Sequence, residues 1–175
     1  MATSDHLFTQ VSLQPNAVDP TFPSAKGNYI LVLWLAEQQS LRVGKLGEFA
    51  FQAGYYLYVG SAWGVGGLAA RLKHHLKPQK LHWHIDYLRS VAQLQEIWFT
   101  LEEQNSEWDN ECRWAAELAG LSQLSRPYRG FGSSDCRCVA HLFYCPSAEA
   151  LSLVRLALRR MDRQIRVHLK DLSSG

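Results

Sequence analysis

One stretch of the sequence combines a glycine-rich turn with basic side chains, which suits contact with a phosphate group. It runs from Tyr58 to Leu76 and reads YVGSAWGVGGLAARLKHHL. Arg71 follows the glycines and His75 comes four residues later, so a helix would place both on one face. An arginine fork can contact two phosphate oxygens, and a histidine can bind phosphate or carry a proton near neutral pH. The stretch therefore predicts a site for either a nucleotide or a phosphate chain.

The charge around this stretch is one-sided. No acidic residue occurs between Glu48 and Asp86, although the formal net charge of the whole chain is only +2. The basic and imidazole side chains in that interval are Arg71, Lys73, Lys77, Lys80, His74, His75, His82 and His84. So small a net charge does not by itself indicate nucleic-acid binding. The interval predicts either a face for a phosphate-bearing partner or an ordinary solvated helix.

The glycines do not fit a nucleotide loop. Residues 64–69, GVGGLA, match the dinucleotide pattern G-x-G-x-x-A. In that pattern the first glycine ends the first strand of a βαβ unit, whereas here a predicted strand ends earlier, at Gly60. No Gly-Lys-Ser or Gly-Lys-Thr follows, so a P-loop is also excluded. The glycines instead predict a turn whose free N–H groups suit an anion, or simply close packing of helix on sheet.

Length and composition narrow the class of protein. A chain of 175 residues predicts one domain with a sizeable core. Four cysteines are too few for a disulfide scaffold. The sequence shows neither a signal peptide nor an apolar run near the ~20 residues of a membrane span. We therefore expect a reduced, cytoplasmic protein with no membrane partner.

Periodicity predicts the elements that must position these residues. Strands are expected at 29–36, 40–54, 55–60, 94–101 and 138–145, and helices at 66–76, 82–91, 106–121 and 147–169. This order predicts an α/β (α+β) fold, in which a small mixed, mainly antiparallel central sheet is flanked by helices. Residues 1–26 are expected to form a loosely ordered leader, 27–146 the main domain, and 147–170 a C-terminal helix packed on it.

With these elements in place, the ordered set of motifs resembles the GIY-YIG nucleases. Gly27-Asn28-Tyr29 and Tyr58-Val59-Gly60 are similar to the two signatures that name the family. Arg71, His75 and Glu111 then follow in the family's order. The strings YVGSAWGVGGLAARLKHHL, HWHIDYL, EC and GFGSSDCRCVAHLF resemble its small, poorly characterised prokaryotic branch, whose members occur alone or joined to a DNA-repair glycosylase. The resemblance covers residues 27 to about 145.

The resemblance implies a GIY-YIG-like fold and a metal-dependent endonuclease that cleaves DNA phosphodiester bonds, with DNA repair as its setting. The implied partners are DNA and DNA-repair proteins, and the implied cofactor is one Mg²⁺ or Mn²⁺ ion on Glu111. The expected catalytic residues are Tyr29, Tyr58, Arg71, His75 and Glu111, with Tyr58 as first choice and Tyr29 as second for activating water. The expected substrate-binding residues are Gly60, Ser61, Gly66, Gly67, Lys73, His84, Ser134, Asp135 and His141.

Three departures from the family leave another interpretation open. Asn28 replaces the usual isoleucine, and the interval from Tyr29 to Tyr58 is longer than a short hairpin, which predicts an added pair of strands. The family's late asparagine has no clear match, and the nearest polar residues are Ser133, Ser134 and Asp135. The alternative function is a non-catalytic nucleic-acid-binding module that keeps the fold. Glu102, Glu103, Glu107 and Glu117 compete with Glu111 as acidic candidates.

The cysteine-rich segment allows a second kind of metal site. Cys136, Cys138, His141 and Cys145 have residue types that bind zinc. However, C-x-C is not the common spacing, and a strand over 138–145 would place Cys138 and His141 on opposite faces. We therefore expect packed thiols and no structural zinc, with His141 reaching the cleft instead.

Two further groups of side chains leave alternatives open. His84 and Asp86 resemble a metal pair, but at i and i+2 of a helix they do not share a face, which favours a structural or DNA-facing role for His84. A stripe of arginines on the last predicted helix is either a second DNA contact or a solvated face. Its members are Arg155, Arg159, Arg163 and Arg166.

Overall fold

The computed structural model describes residues 22–77, 81–101, 111–161 and 166–169, the last four and Met161 by backbone alone. The strands are β1 Asn28–Leu35, β2 Gln39–Val43, β3 Gly47–Phe51, β4 Gly54–Ser61, β5 Gln93–Phe99, β6 Leu142–Cys145 and β7 Arg166–Leu169. The helices are α1 Gly67–Leu76, α2 His84–Arg89, α3 Glu111–Ala119 and α4 Ala148–Met161.

A five-stranded sheet in the order β6-β4-β1-β5-β7 forms the centre of the molecule. All four of its strand pairings are antiparallel, so the expected small, mainly antiparallel sheet with flanking helices is confirmed. The central strand β1 is an almost continuous apolar run, NYILVLWL, and seven of its eight residues are buried. Such a run is typical of a strand covered on both faces.

Side chains alternate between the two faces of β1 and feed two cores. On one face Tyr29, Leu31 and Leu33 pack with residues of α1, α2 and the β2–β3 hairpin. On the other face Ile30 and Val32 pack with residues of α3 and α4. The register pairs Tyr29 with Gly60 and Leu31 with Tyr58, so both signature tyrosines lie on the first face.

The long interval between the two signatures is filled by the predicted extra pair of strands. Strands β2 and β3 form a separate two-stranded antiparallel sheet. Gly44 in the turn between them has φ 48°, a left-handed conformation that glycine adopts without strain. Tyr128 donates a hydrogen bond from its hydroxyl to the carbonyl oxygen of Ala50, which fastens this hairpin to the loop before β6.

Three boundaries differ from the sequence prediction. Residues 22–26, predicted as part of the leader, pack on the domain, since Leu68 and Ala69 donate backbone hydrogen bonds to Ala25 and Pro23. Strand β6 begins at Leu142 rather than at 138. The predicted last helix ends at Met161, and residues 166–169 instead form an edge strand paired with β5. The edge of β5 offers backbone hydrogen-bond partners, and these decide the conformation against the helical periodicity of the sequence.

Some predictions fall outside the described residues. They are the leader over 1–21, the N-terminal part of the third helix over 106–110, and the competing acids Glu102, Glu103 and Glu107. Among the helices that the structure describes, none has both the length and the apolar character needed to cross a membrane.

Candidate active site

A cleft of about 200 Å³ opens beside the ends of β1 and β4, on the face that α1 and α2 cover. It is lined by Tyr29, Tyr58, Gly60, Ser61, Arg71, His75, His82, Trp83, His84, Glu111, Gly132, Ser134 and Asp135. All five side chains expected to be catalytic are in this set, although they come from four separate elements. The sheet register, the glycine turn and the start of α3 together bring them to one place.

Tyr29 and His75 form a buried pair at the floor of the cleft. The Tyr29 hydroxyl lies 2.8 Å from Nε2 of His75. Burial raises the pKa of Tyr29 well above its ordinary value, and the charge of Tyr58 adds to this while Arg71 opposes it. Burial lowers the pKa of His75 well below its ordinary value, with Arg89 acting in the same direction. Both side chains are therefore neutral at pH 7, and a neutral imidazole can accept a proton.

The absence of a side chain at Gly60 leaves room for the Tyr29 ring. A Cβ at this position would lie 2.5 Å from Cζ of Tyr29 and closer still to its hydroxyl oxygen. Tyr29 cannot shift freely, because its hydroxyl is bonded to His75. The Y-V-G signature therefore has a packing reason for its glycine.

Gly60→Ala is expected to lower the free energy of unfolding by about 1–3 kcal/mol, the usual effect of overpacking a buried site. Urea denaturation would measure the change. Gly64→Ala is the matched control, since a Cβ there meets no atom within 4 Å. Equal stability of the two variants would show that Tyr29 is not held as described.

Tyr58 is held by the loop before β6. A Cβ on Gly132 would lie 2.6 Å from Cε2 of Tyr58, so this glycine allows the loop to lie against the ring. The backbone N–H of Gly132 donates to Nδ1 of His84 at 3.1 Å, which fixes the loop to the start of α2. His84 thus has a structural contact within the cleft wall. Burial, followed by the charge of Glu111, raises the pKa of Tyr58, while Arg71 lowers it.

Arg71 is positioned by an aromatic partner. Its guanidinium carbon lies 4.5 Å from the centre of the Trp83 ring, a stacking distance for a cation on an aromatic face. Trp83 precedes α2 and also contacts the rings of His74 and His75. Stacking restricts the long arginine side chain before any ligand arrives, which reduces the entropy lost on binding a phosphate.

Asp86 is used to build the cleft wall. Its Oδ2 accepts hydrogen bonds from the backbone N–H groups of His82 at 3.0 Å and Trp83 at 2.8 Å. Its Oδ1 lies 3.4 Å from Nε2 of His74. These contacts cap the start of α2 and fix Trp83, so the resemblance of His84 and Asp86 to a metal pair has a structural explanation.

Glu111 brings a carboxylate into the cleft from the start of α3. It is the first described residue of that helix, and one of its oxygens lies 3.9 Å from Nδ1 of the buried His141. Asp135, which is exposed, provides a second carboxylate in the lining. Carboxylate oxygens are the ligands that Mg²⁺ prefers, and an open cleft leaves positions for water and phosphate. The residues therefore fit a weakly held divalent ion.

The comparison with protein-family models gives one match. The model described as "Domain of unknown function DUF123" matches residues 28–163, a range that includes every residue lining the cleft. The chain belongs to this family. No curated protein and no solved structure is similar enough to the chain to count as a match.

Four expected substrate-binding residues of this DUF123 chain lie outside the cleft lining. Gly66 has φ 86° at the start of α1, and a Cβ on Gly67 would clash with the backbone of Ala25, so both glycines serve the turn and its packing. Lys73 is exposed elsewhere on α1. His141 is fully buried behind Glu111 rather than reaching the cleft.

Three residues of the lining were not among the expected site residues. They are Trp83, Gly132 and His82, which the sequence indicated only as one side chain of the acid-free interval. The string HWH before α2 and the string GFG before Cys136 could have indicated them, since both adjoin residues that were expected there.

The described side chains of the predicted arginine stripe, those of Arg155 and Arg159, do not line the cleft. Arg155 forms an ion pair with Glu96 and lies 5.6 Å from the centre of the Trp98 ring, on the α3–α4 side of the sheet. Arg163 and the side chain of Arg166 lie outside the described residues. The contacts of Arg155 with Glu96 and Trp98 account for the position of its side chain without a contact to DNA.

The buried His75 predicts a pH-dependent stability. Because its pKa is lower in the folded than in the unfolded chain, the unfolded chain binds more protons as the pH falls below about 6.5. The free energy of unfolding should therefore fall on acidification, with this one group contributing up to about 1.4 kcal/mol per pH unit.

Urea denaturation of wild type and His75→Gln between neutral and mildly acidic pH measures this contribution. The slope should be shallower in His75→Gln, and His82→Gln, which alters an exposed histidine, should keep the wild-type slope. Identical slopes for all three proteins would contradict a buried, neutral His75.

Proposed function

We propose that this protein is a divalent-metal-dependent endonuclease of GIY-YIG type that cleaves DNA phosphodiester bonds. The observation that carries the proposal is the convergence of Tyr29, Tyr58, Arg71, His75 and Glu111 on one cleft. These residues are 82 positions apart at the extremes, 29 and 111, and lie on β1, β4, α1 and α3. Ordinary packing does not require an arginine, a carboxylate and a tyrosine–histidine pair to share one open cavity.

Arg71 supplies the phosphate contact in this proposal. Its planar fork can bind two non-bridging oxygens, and Trp83 holds it in the cleft. As negative charge grows on the phosphate in the transition state, a fixed positive charge stabilises that state more than the ground state. The interval from 49 to 85, which contributes Arg71 to the cleft, contains no acidic residue, so that side of the cleft favours a polyanion.

Glu111 would hold the divalent ion, with Asp135 as a second oxygen donor in the same lining. When bound, Mg²⁺ or Mn²⁺ supplies charge relief to the phosphate and makes a coordinated water more acidic. Glu111 stands at the start of α3 and lines the cleft, so its carboxylate is within reach of an ion bound there.

The Tyr29–His75 pair is suited to proton transfer. Nε2 of His75 can take the Tyr29 hydroxyl proton over 2.8 Å while the tyrosine oxygen takes a proton from the attacking water. Tyr58 has no acceptor of this kind in the described contacts, and burial raises the pKa of both tyrosines, so the bond to His75 is what separates them. The geometry therefore favours Tyr29 over Tyr58, the reverse of the order expected from the sequence.

Tyr29→Phe is accordingly expected to lower the cleavage rate about 10²-fold, within the usual range for general base catalysis. Tyr58→Phe is the comparison and should lower the rate less, because only Tyr29 is bonded to His75. Single-turnover rates on one DNA substrate measure both. A larger loss in Tyr58→Phe would restore Tyr58 as the residue that activates water.

The test of the function compares binding with cutting. Purified protein is incubated with branched, nicked and single-stranded DNA in Mg²⁺ or Mn²⁺, and in EDTA, while affinity is measured on the same substrates. The proposal expects metal-dependent cleavage of at least one substrate. If the protein binds these DNAs but cuts none, it is a nucleic-acid-binding module that retains the fold.

We place the activity in the cytoplasm, since none of the four cysteines forms a disulfide.

A further inference from the structure

A second cluster of polar side chains lies directly behind the cleft. It consists of Cys112 on α3, Cys136 and Cys138 in the loop before β6, and His141 next to that strand. One ligand atom from each residue can be chosen so that all four lie within 4.8 Å of one another. None of these four side chains is used by the proposed cleavage of DNA.

The spacing matches a tetrahedral ion. Zinc–sulfur bonds of about 2.3 Å and zinc–nitrogen bonds of about 2.0–2.1 Å would separate sulfur from nitrogen by about 3.6 Å in a tetrahedron. Nε2 of His141 lies 3.4 Å from Sγ of Cys136 and 3.9 Å from Sγ of Cys112. These two distances, and the 4.8 Å limit on the other separations, are compatible with four ligands around one ion.

The surroundings resemble the outer contacts of a metal site. Nδ1 of His141, the nitrogen that faces away from the sulfurs, lies 3.9 Å from a carboxylate oxygen of Glu111. This distance is longer than a hydrogen bond, but it places Glu111 beside the nitrogen that a metal-bound histidine commonly directs to a carboxylate. The backbone N–H of Cys138 donates to Sγ of Cys136 at 3.4 Å. His141 is fully buried, and it is an uncommon residue to bury without a strong partner.

We propose that Cys112, Cys136, Cys138 and His141 bind one structural zinc ion. Three thiolates and one imidazole fill all four positions, which is typical of a closed structural site rather than a catalytic one. Soft sulfur ligands also separate this site from the oxygen-lined cleft, which suits Mg²⁺ or Mn²⁺. A cluster of several irons would need its ligands farther apart.

The proposed zinc connects two segments that shape the cleft. Cys112 adjoins Glu111, while Cys136 adjoins Asp135 in the loop that also contains Gly132. An ion bound to both segments would fix the start of α3 relative to that loop. Bound zinc would therefore hold Glu111 in position even when no substrate is present.

This assignment reverses the expectation from the sequence. The parity argument against zinc assumed a strand from 138, whereas β6 begins at Leu142 and Cys138 lies in a loop. Cys145, the fourth ligand considered from the sequence, is not in the cluster, because it is buried in β6 with its Sγ directed to the carbonyl oxygen of Ser147. Cys112, 24 residues before Cys136 in the sequence, takes its place in the cluster.

The test measures metal in the full chain, purified without chelator from a zinc-supplemented culture. Native mass spectrometry and elemental analysis should give one zinc per chain for wild type and for Cys145→Ala, which removes the thiol outside the cluster. Cys136→Ser and Cys112→Ser should lose most of the zinc. X-ray absorption of the wild type should show three sulfur ligands at about 2.3 Å and one nitrogen at about 2.0–2.1 Å.

Wild-type protein reconstituted with Co²⁺ keeps the proposal testable if the serine variants do not fold. It should show thiolate charge-transfer absorption and the intense visible bands of tetrahedral cobalt. The proposal would be overturned if metal-free wild type gained no such bands when Co²⁺ is added. It would also be overturned if the intact mass were lower by two hydrogens, which would indicate a disulfide. These results do not depend on whether the chain cuts DNA.

Discussion

Arg71→Ala is expected to lower the single-turnover rate of DNA cleavage about 10³-fold, the loss found when one fixed donor to a transition-state oxyanion is removed. Arg71 lines the cleft and is held over the Trp83 ring. In the proposed mechanism its charge would act on the phosphate as negative charge develops, so the rate should fall more than the affinity for DNA. Cleavage rate and equilibrium binding, measured on one substrate, separate the two effects.

Lys73→Ala is the matched control for Arg71→Ala. It removes one positive charge from the same helix, but Lys73 is exposed and does not line the cleft. Its cleavage rate should remain within a few-fold of wild type, with a small loss of affinity at low salt. Arg71→Lys should restore part of the rate at most, because an ammonium cannot bind two oxygens as the planar fork does. Equal losses in Arg71→Ala and Lys73→Ala would reduce Arg71 to a general electrostatic contact.

Glu111→Gln is expected to abolish metal-stimulated cleavage, a loss of about 10³-fold or more if the ion supplies several kcal/mol to the transition state. The substitution keeps the shape of the side chain and removes the charge that would hold Mg²⁺ or Mn²⁺. Titration of the rate with Mn²⁺ measures the effect, and a higher metal concentration should recover part of the activity. DNA affinity in EDTA should change little.

Glu117→Gln provides the comparison, since it neutralises an exposed carboxylate on the same helix without touching the cleft. It should cut DNA at the wild-type rate. Elemental analysis of Glu111→Gln adds a second readout, because the variant should keep its zinc even as cleavage is lost. Full activity in Glu111→Gln would remove the carboxylate from the mechanism and leave it as a partner of His141 alone.

The part of the site that rests on local spacing was predictable from the sequence. Arg71 and His75 are one helical turn apart, so their shared face followed from periodicity. In the same way, the continuous apolar run predicted strand β1, and Pro78 predicted the end of helix α1. That Tyr29 and Tyr58 share a face follows from the antiparallel register of β1 with β4, which short signatures indicate only through the resemblance.

The part that rests on long-range contacts was not predictable from local pattern. Cys112 lies beside Cys136 and Cys138 only because α3 packs against the sheet next to the loop before β6. No spacing rule in the sequence links Cys112 to Cys136. The bond between Tyr29 and His75 spans 46 residues and depends on how α1 lies on the sheet. Residues 166–169 have a helical context in sequence, yet they pair with β5 because its edge is free.

The central claim is tested most directly by single-turnover cleavage of a labelled DNA substrate in Mn²⁺ by five proteins. They are the wild type and two matched pairs, Arg71→Ala with Lys73→Ala and Glu111→Gln with Glu117→Gln. We expect wild type, Lys73→Ala and Glu117→Gln to produce the same cut, and the two cleft variants to bind the DNA and leave it intact. Cleavage that survives in both cleft variants, or that is absent from wild type on every DNA structure it binds, would contradict it.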